Sequence, residues 1–464
     1  MNIKNWASRL FGRYISAEAS TRRRDPGTRV QSSDDLLSEA KRNRLTEGGR
    51  ELWRNYSVAA WAIRKHLDYV SSFNFQALTE DEQLNEQLEN LVAWWSRPLH
   101  FDVAARHSMR RMLRILETRR VIDGDVFLVK LRDGRLQPIE GDRVRNPDQL
   151  PGQQDQARWT HGIKVGAGGR MNAVAVHRRD PGWRYELERI VPARNVLHLG
   201  YFDQFEQVRG VSPLSSAIDQ FQDVLEVTDY ARAKAKITQL FALAITRQMG
   251  DLDEEDDDND STYDIDIGKG PVKVEMDPGD ELNFLESKHP STEFQDYLKL
   301  TLMAAMKALD IPWSFYDESF TNFFGSRAAL IQYQQSCRSK REDLQELLSR
   351  LTIWRMGMWL SSGALVLPAG VRLSDIKFDW VPSGLPWWDP AKEVKGDILS
   401  IGATLRTRSE IRRERYGDDW RKVVKQLKRE EDLLEANGIV PGRINPVDTT
   451  ITGQGPGENE EDDD

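Results

Sequence analysis

Cysteine is all but absent: Cys337 is the single one among 464 residues, so neither an internal disulfide framework nor a cysteine-based metal site can form. Long apolar runs are missing too, and no stretch approaches the ~20 consecutive apolar residues of a membrane-spanning helix. The opening residues MNIKNWASRLFGRY lack the apolar core of a signal peptide, so an intracellular, reducing setting without membrane insertion is expected. No Gly-x-x-x-x-Gly-Lys-Ser/Thr loop occurs, which removes the P-loop route to ATP hydrolysis. Histidine is scarce, and His66, His100, His107, His161, His177, His198 and His289 show no metal-ligand spacing. The sequence therefore calls for no cofactor and no metal.

Charge, by contrast, is abundant and unevenly placed. The formal net charge is −9, yet eight of the ten residues 251–260 and six of the last seven are acidic. Setting those 14 aside leaves 60 acids against 65 lysines and arginines, a mildly basic body carrying two acidic patches. Runs of one sign repel themselves and stay solvated. A calcium loop does not fit the first run, because the sixth and twelfth positions from Asp251 hold Asp256 and Thr262 where Gly and Glu are needed.

Periodicity divides the chain. Residues 1–45 are polar, carry the cluster Arg22-Arg23-Arg24 and lack a sustained apolar period, so a flexible N-terminal arm is expected. Leu52, Tyr56, Ala59, Ala60, Ile63, Leu67 and Val70 recur at threes and fours and predict one helix of about 20 residues. Further helices are expected over 84–95 and 103–116. The period then switches to two. Residues 126–129 and 136–139, joined by Asp133-Gly134, predict a hairpin or meander, and short strands follow at 162–165, 173–177 and 196–199. Pro213 opens a long amphipathic helix, the acidic run interrupts it, and two alternating segments at 265–274 and 281–285 follow. A helix resumes after a candidate N-cap at Ser291 and runs to Leu309; another runs from Ser326 to about Leu360. A strand at 376–381 precedes a last helical region, 390–438, ending at Asn437-Gly438, and a Gly, Pro and acid tail is expected to be disordered.

Two arrangements bear on chemistry. Asp123, Asp125 and Lys130 form the sole constellation with a nuclease flavour, although the turn preference of Asp-Gly-Asp explains the acids without metal. Segment 312–325 crowds Trp313, Phe315, Tyr316, Phe320, Phe323 and Phe324 between two helices, as a core-capping loop or as a functional one.

The chain resembles the portal proteins of tailed bacteriophages, in the lambda-like branch, over about residues 45–439. The resemblance rests on Gly49-Arg50-Glu51-Leu52 with Arg54-Asn55, Asp123-Gly124-Asp125-Val126-Phe127 and Leu136-Gln137-Pro138-Ile139-Glu140-Gly141-Asp142-Arg143. It continues with Val196-Leu197-His198, Arg209-Gly210-Val211-Ser212-Pro213-Leu214, Phe323-Phe324-Gly325-Ser326-Arg327-Ala328-Ala329-Leu330 and Asp389-Pro390-Ala391-Lys392-Glu393, with Gly402 and Thr404 beyond. One departure stands out: where the family often has Arg-Pro-Gly-Gln before Arg209-Gly210, this chain reads Phe205-Glu206-Gln207-Val208.

The resemblance implies an α+β portal fold with an α/β wing, a helical stem, a small β-rich clip and a helical crown. Carried over, the wing is 46–212 with 326–385, the stem 213–246 and 291–309, the clip 247–290, the tunnel loop 310–325, the crown 386–440, and 441–464 the acidic tail. It implies a homo-oligomeric ring, usually a dodecamer, at one capsid vertex, with double-stranded DNA in its channel. Implied partners are the terminase large subunit, the major capsid and scaffolding proteins and the head-tail connector or adaptor proteins.

The implied tunnel-loop residues are Trp313, Ser314, Phe315, Tyr316, Asp317, Glu318, Phe320, Asn322, Phe323 and Phe324. A densely basic bore would grip duplex DNA at every phosphate. Acidic or neutral linings are therefore expected, with Asp317 and Glu318 near DNA and occasional basic rings from Lys234, Lys236 or Lys307. The implied clip docking surface is Asp253, Glu254, Glu255, Asp256, Asp257 and Asp258, facing basic partners. A metal-dependent nuclease and a ring-forming scaffold of another phage-like assembly are the alternatives.

Overall fold

The computed structural model describes residues 30–147, 159–182, 184–240, 243–247, 280–284, 292–317, 323–384 and 390–438. In chain order the elements are α1 (Glu39–Asn55), α2 (Ser57–Val70), β1 (Phe73–Ala77), α3 (Glu82–Trp95), α4 (Met109–Asp123), β2 (Asp125–Lys130), β3 (Leu136–Glu140) and β4 (Trp159–Thr160). Next come β5 (Ile163–Val165), β6 (Met171–Arg179), β7 (Tyr185–Pro192), β8 (Val196–Gly200), α5 (Ile218–Leu240), β9 (Leu243–Arg247), β10 (Asp280–Phe284) and α6 (Thr292–Met306). The chain continues with α7 (Phe323–Ser362), β11 (Phe378–Pro382), α8 (Pro390–Gly402), α9 (Arg408–Tyr416) and α10 (Trp420–Ala436). Helices and small antiparallel sheets make this an α+β chain.

It divides into two units, residues 1–71 with 94–347, and residues 72–93 with 348–464. In the first, β3-β2-β8 and β4-β5-β6-β7 are both antiparallel sheets. Phe127, Val129, Ile139, Ile163, Val174, Val176, Val191 and Val196 from the two sheets, with Val144 bridged to Val176, share one buried core. Alternating β-branched residues are what such half-buried strands need. The expected hairpin is present, with Gly134 at φ +86° in its turn.

Several elements depart from the sequence reading. The single helix expected over 52–70 is two, broken at Tyr56, whose backbone is extended at φ −113°, ψ 103°. Helical structure also starts earlier than expected: Ser33–Leu36 forms a turn, and α1 begins at Glu39 behind the Ser38 N-cap, inside the stretch read as an arm. The helix expected over 103–116 is α4, at 109–123. The Asp102 carboxylate accepts the N–H groups of Ala104, Arg106 and His107 at 3.0 to 3.1 Å, holding that segment in a turn until Ser108 caps the helix. Edge strand β7 has only Val191 buried and so gave no clean alternation. The stretch 243–247, expected to continue a helix, is a strand. It pairs with β10 from Leu243↔Phe284 to Arg247↔Asp280. Residues 265–274 and Ser291 lie outside the described residues.

In the second unit β1 pairs antiparallel with β11, and Phe75 packs on Trp380, ring centroids 5.2 Å apart. Trp380 Nε1 donates to Thr352 Oγ1 at 3.1 Å. The expected helical region 390–438 is α8, α9 and α10; Thr407 and Glu410 cap α9 reciprocally, and Gly417 and Gly438 end α9 and α10 at positive φ. Among the described residues no helix is long and apolar enough to cross a membrane.

Candidate functional site

Two of the sequence stretches behind the resemblance meet in space. Helix α4 ends at Asp123, Gly124 turns the chain at φ +94°, and Asp125 opens β2 fully buried. The chain returns along β8 and reaches Arg209, also buried, just before α5. Arg209 Nε and Nη2 donate to the two Asp125 carboxylate oxygens at 2.6 and 2.9 Å. Nη1 donates to the carbonyls of Val144 and His161 at 2.9 and 2.7 Å, and Nη2 also to that of Gly141 at 2.8 Å. All five guanidinium donors are used.

Asp125 is held further, because His198 Nε2 and the Gly210 N–H each donate to Oδ2 at 3.0 Å. Burial alone would raise its pKa, but Arg209 and His198 outweigh that and hold the carboxyl far below the usual range. His198 stacks on Phe127 at 4.2 Å, and the Arg209 guanidinium lies 5.2 Å from the same ring. Glycine is required around this pair. A Cβ on Gly210 would stand 2.3 Å from the Gly124 carbonyl oxygen, and one on Gly141 would stand 2.7 Å from Asp125 Oδ1.

This geometry removes the nuclease constellation. Asp125 is buried and taken up by Arg209, His198 and the Gly210 N–H, and Lys130 lies five residues along β2, about 17 Å away. Asp123, Glu140 and Asp142 do converge, but Arg50 Nη2 reaches all three, at 2.7, 3.2 and 2.8 Å. A second buried network joins α2, α4 and α7: Glu117 accepts from His66 Nε2, Tyr201 Oη and Arg120, while Arg120 Nη1 donates to Asp343 at 2.7 Å. Burial opposes the Glu117 charge, yet Arg120 and His66 prevail and lower its carboxyl to about 2. Sequence reasoning missed both networks. The glycines at 124, 141 and 210 were the visible trace of the first.

Helices α5 and α6 form the other candidate region. Ile218 and Phe221 at the start of α5 and Leu302 and Ala305 at the end of α6 pack with Leu52 of α1 and Ala59 of α2. Trp313 packs on the same cluster. Phe315 lies between Tyr69 at 6.0 Å and Tyr333 at 5.3 Å, and Tyr316 meets Trp61 at 5.8 Å and Trp313 at 5.0 Å. Ser314 and Asp317 are half-buried and Tyr316 is exposed. Phe323 and Phe324 begin α7; Glu318, Phe320 and Asn322 lie outside the described residues, as do Asp253, Glu254, Glu255, Asp256, Asp257 and Asp258. Lys234 and Lys236 are exposed on α5, roughly 20 Å of helix beyond Phe221, whereas exposed Lys307 follows α6 near that root. The lysines thus stand at two levels.

The model of the family "Phage portal protein, lambda family" matches residues 20–341, more than half of the chain. The chain belongs to the lambda family of phage portal proteins. That family is structural, and a phage portal role comes with membership. No curated protein matches the chain. Similar solved structures include a chain of the virion of a native gene transfer agent particle, with TM-score 0.46 and 15% identity, covering 81% of this chain and 93% of that one. Another is from the neck of the native gene transfer agent particle computed with C12 symmetry, with TM-score 0.46, 14% identity and coverages of 81% and 93%. A third is an HK97 family phage portal protein from Corynebacterium diphtheriae, with TM-score 0.28, 10% identity and coverages of 64% and 84%. The portal-family match takes in the Asp125–Arg209 node, the α5–α6 pair and segment 312–317.

Proposed function

We propose that copies of this chain close into a ring, twelve in number, at one vertex of a phage capsid, and that double-stranded DNA passes through it during packaging and ejection. The observation that carries this reading is the lambda-family portal match over residues 20–341. The exposed apolar side chains of the helix pair agree with it. Tyr230, Tyr297, Leu300 and Met303 are 73%, 50%, 67% and 40% exposed, which suits helices flanked by neighbouring subunits better than helices facing water.

In this reading the α5–α6 pair is the stem. Trp313, Ser314, Phe315, Tyr316 and Asp317 anchor the loop that narrows the channel, and Lys234, Lys236 and Lys307 give sparse basic rings on a bore that must not hold phosphates tightly. The acidic run from Asp253 to Asp258 is the docking surface for the terminase large subunit and then for head-tail connector proteins, through basic surfaces on those partners. The ring sits in the virion after assembly with capsid and scaffolding proteins in the host cytoplasm. ATP hydrolysis is left to a separate packaging motor.

Light scattering with negative-stain imaging tests the reading. Twelve copies of 53.4 kDa give about 640 kDa and a ring with a central hole. A chain that stays monomeric at high concentration, and also in the presence of scaffold, would overturn it.

A further inference from the structure

Helix α10 is the most unusual surface of the second unit. Trp420, Val423, Val424, Leu427 and Leu434 fall within an arc of about 100° at 3.6 residues per turn, the pattern of a helix that buries one face. Yet no residue of α10 is buried, and Val424 and Leu427 are 45% and 49% exposed. The helix is held to α3 by charge: Lys422 Nζ reaches Glu89 at 2.7 Å and Lys425 Nζ reaches Glu82 at 2.5 Å. Lys422 projects about 160° round the helix from Val424. An open groove of about 810 Å³ separates α3 from α10, with Val423 and Leu427 on its wall. Trp420, Val423 and Leu434 are half-buried, and Val424 and Leu427 are left uncovered by the helix to which α10 is tethered.

The charges on α10 are arranged against its own interest. Arg421, Lys422, Lys425, Lys428 and Arg429 occupy its first ten residues, and Glu430, Glu431, Asp432 and Glu435 its last seven. A helix dipole favours the opposite order, acids first and bases last. Like charges four apart, as at Lys425 and Arg429, repel as well. Asp419, Glu89 and Glu82 of the same subunit answer Arg421, Lys422 and Lys425, but exposed Lys428 in the basic half and exposed Glu431 and Glu435 in the acidic half flank the stripe, and a partner carrying the reversed pattern suits them. The acidic end of α10 in one copy complements the basic end of α10 in the next.

We infer that α10 is a subunit-to-subunit contact: the acidic C-terminal half of one copy's helix lies against the basic N-terminal half of the neighbour's, with the Val424–Leu427 stripe between them. Such a head-to-tail contact is heterologous, the kind that repeats around a closed ring. The inference rests on the ring reading above and locates one of its interfaces.

The test uses the full-length chain. Val424→Ser with Leu427→Ser removes the stripe at exposed positions, so the subunit folds, as circular dichroism would verify. Lys428→Glu alters the basic half; Glu431→Lys with Glu435→Lys alters the acidic half. Each of the three variants is expected to raise the concentration for half-assembly at least about tenfold. The two charge variants mixed in equal amounts are expected to assemble together, because each supplies the complement the other lost.

A serine variant that assembles like the wild type, or charge variants that fail to rescue each other, would overturn the contact while leaving the ring intact. A wild-type chain that never assembles would sink the ring itself and this contact with it.

Discussion

Replacing Arg209 by Met isolates the role of the node at the root of α5. The side chain leaves its volume roughly filled but withdraws five hydrogen bonds, two from Asp125 and one each from the Gly141, Val144 and His161 carbonyls. Asp125, 0% exposed, then keeps only His198 and the Gly210 N–H. Breaking one side of a buried ion pair costs about 3–5 kcal/mol, a large part of the ~5–15 kcal/mol that holds a domain together. Because the chain has two units, a global melting curve would blend them, and hydrogen exchange of the Val126–Val129 amides reports the node directly. Protection there should fall by about two to nearly four orders of magnitude. Arg209→Lys should fall between, since an ammonium has three donors and no planar fork. Asp125→Asn in the Arg209→Met background should cost far less than in the wild type. The reasoning fails if Arg209→Met lowers protection by less than about tenfold, or if the two substitutions simply add.

Three further outcomes follow from the geometry. Gly210→Ala should cost at least about 2 kcal/mol in hydrogen-exchange protection of the Val126–Val129 amides, because its Cβ would meet the Gly124 carbonyl oxygen at 2.3 Å and neither backbone can retreat. Phe315→Ala should cost about 2 kcal/mol through lost packing on Tyr69 and Tyr333, and exposed Tyr316→Ala less than about 1 kcal/mol. A packaging defect in the first variant therefore needs a stability control before it is assigned to DNA contact. Finally, Glu117 is lowered from 4.5 to about 2 and contributes about 3 kcal/mol above pH 4.5, lost as pH falls from 4.5 toward 2. Hydrogen-exchange protection of the α4 amides against pH, corrected for intrinsic exchange, should show that loss, and Glu117→Gln should flatten the slope over that interval.

What the sequence disclosed and what it hid follow from the range of each signal. The β2–β3 hairpin, the Asn437-Gly438 stop and helix α7 were legible because turn residues and apolar period are local. The break at Tyr56 was not, since Leu52, Tyr56, Ala59 and Ile63 keep helical spacing across it; the extended backbone at Tyr56 is set by tertiary packing of α1 and α2. Helix α4 slipped later because the Asp102 turn acts through three backbone N–H groups that a spacing rule does not weigh. Asp125 and Arg209 are 84 residues apart, so nothing local announced their pairing. The aromatic segment 312–317 was visible as a cluster, but its intrachain contacts with Trp61, Tyr69 and Tyr333 come from α2 and α7.

The pairing of β9 with β10 has an evolutionary corollary. Leu243↔Phe284 and Arg247↔Asp280 bring the chain back to the point from which it left, so residues 248–279 start and finish at adjacent positions. Doubling the length of a segment closed in this way costs only about 0.6 kcal/mol. The stretch that includes all eight acids of 251–260 can thus be lengthened, shortened or exchanged between relatives while α5 and α6 keep their register. A change confined to these 32 residues would leave the β9–β10 pairing, and the two helices on either side of it, untouched.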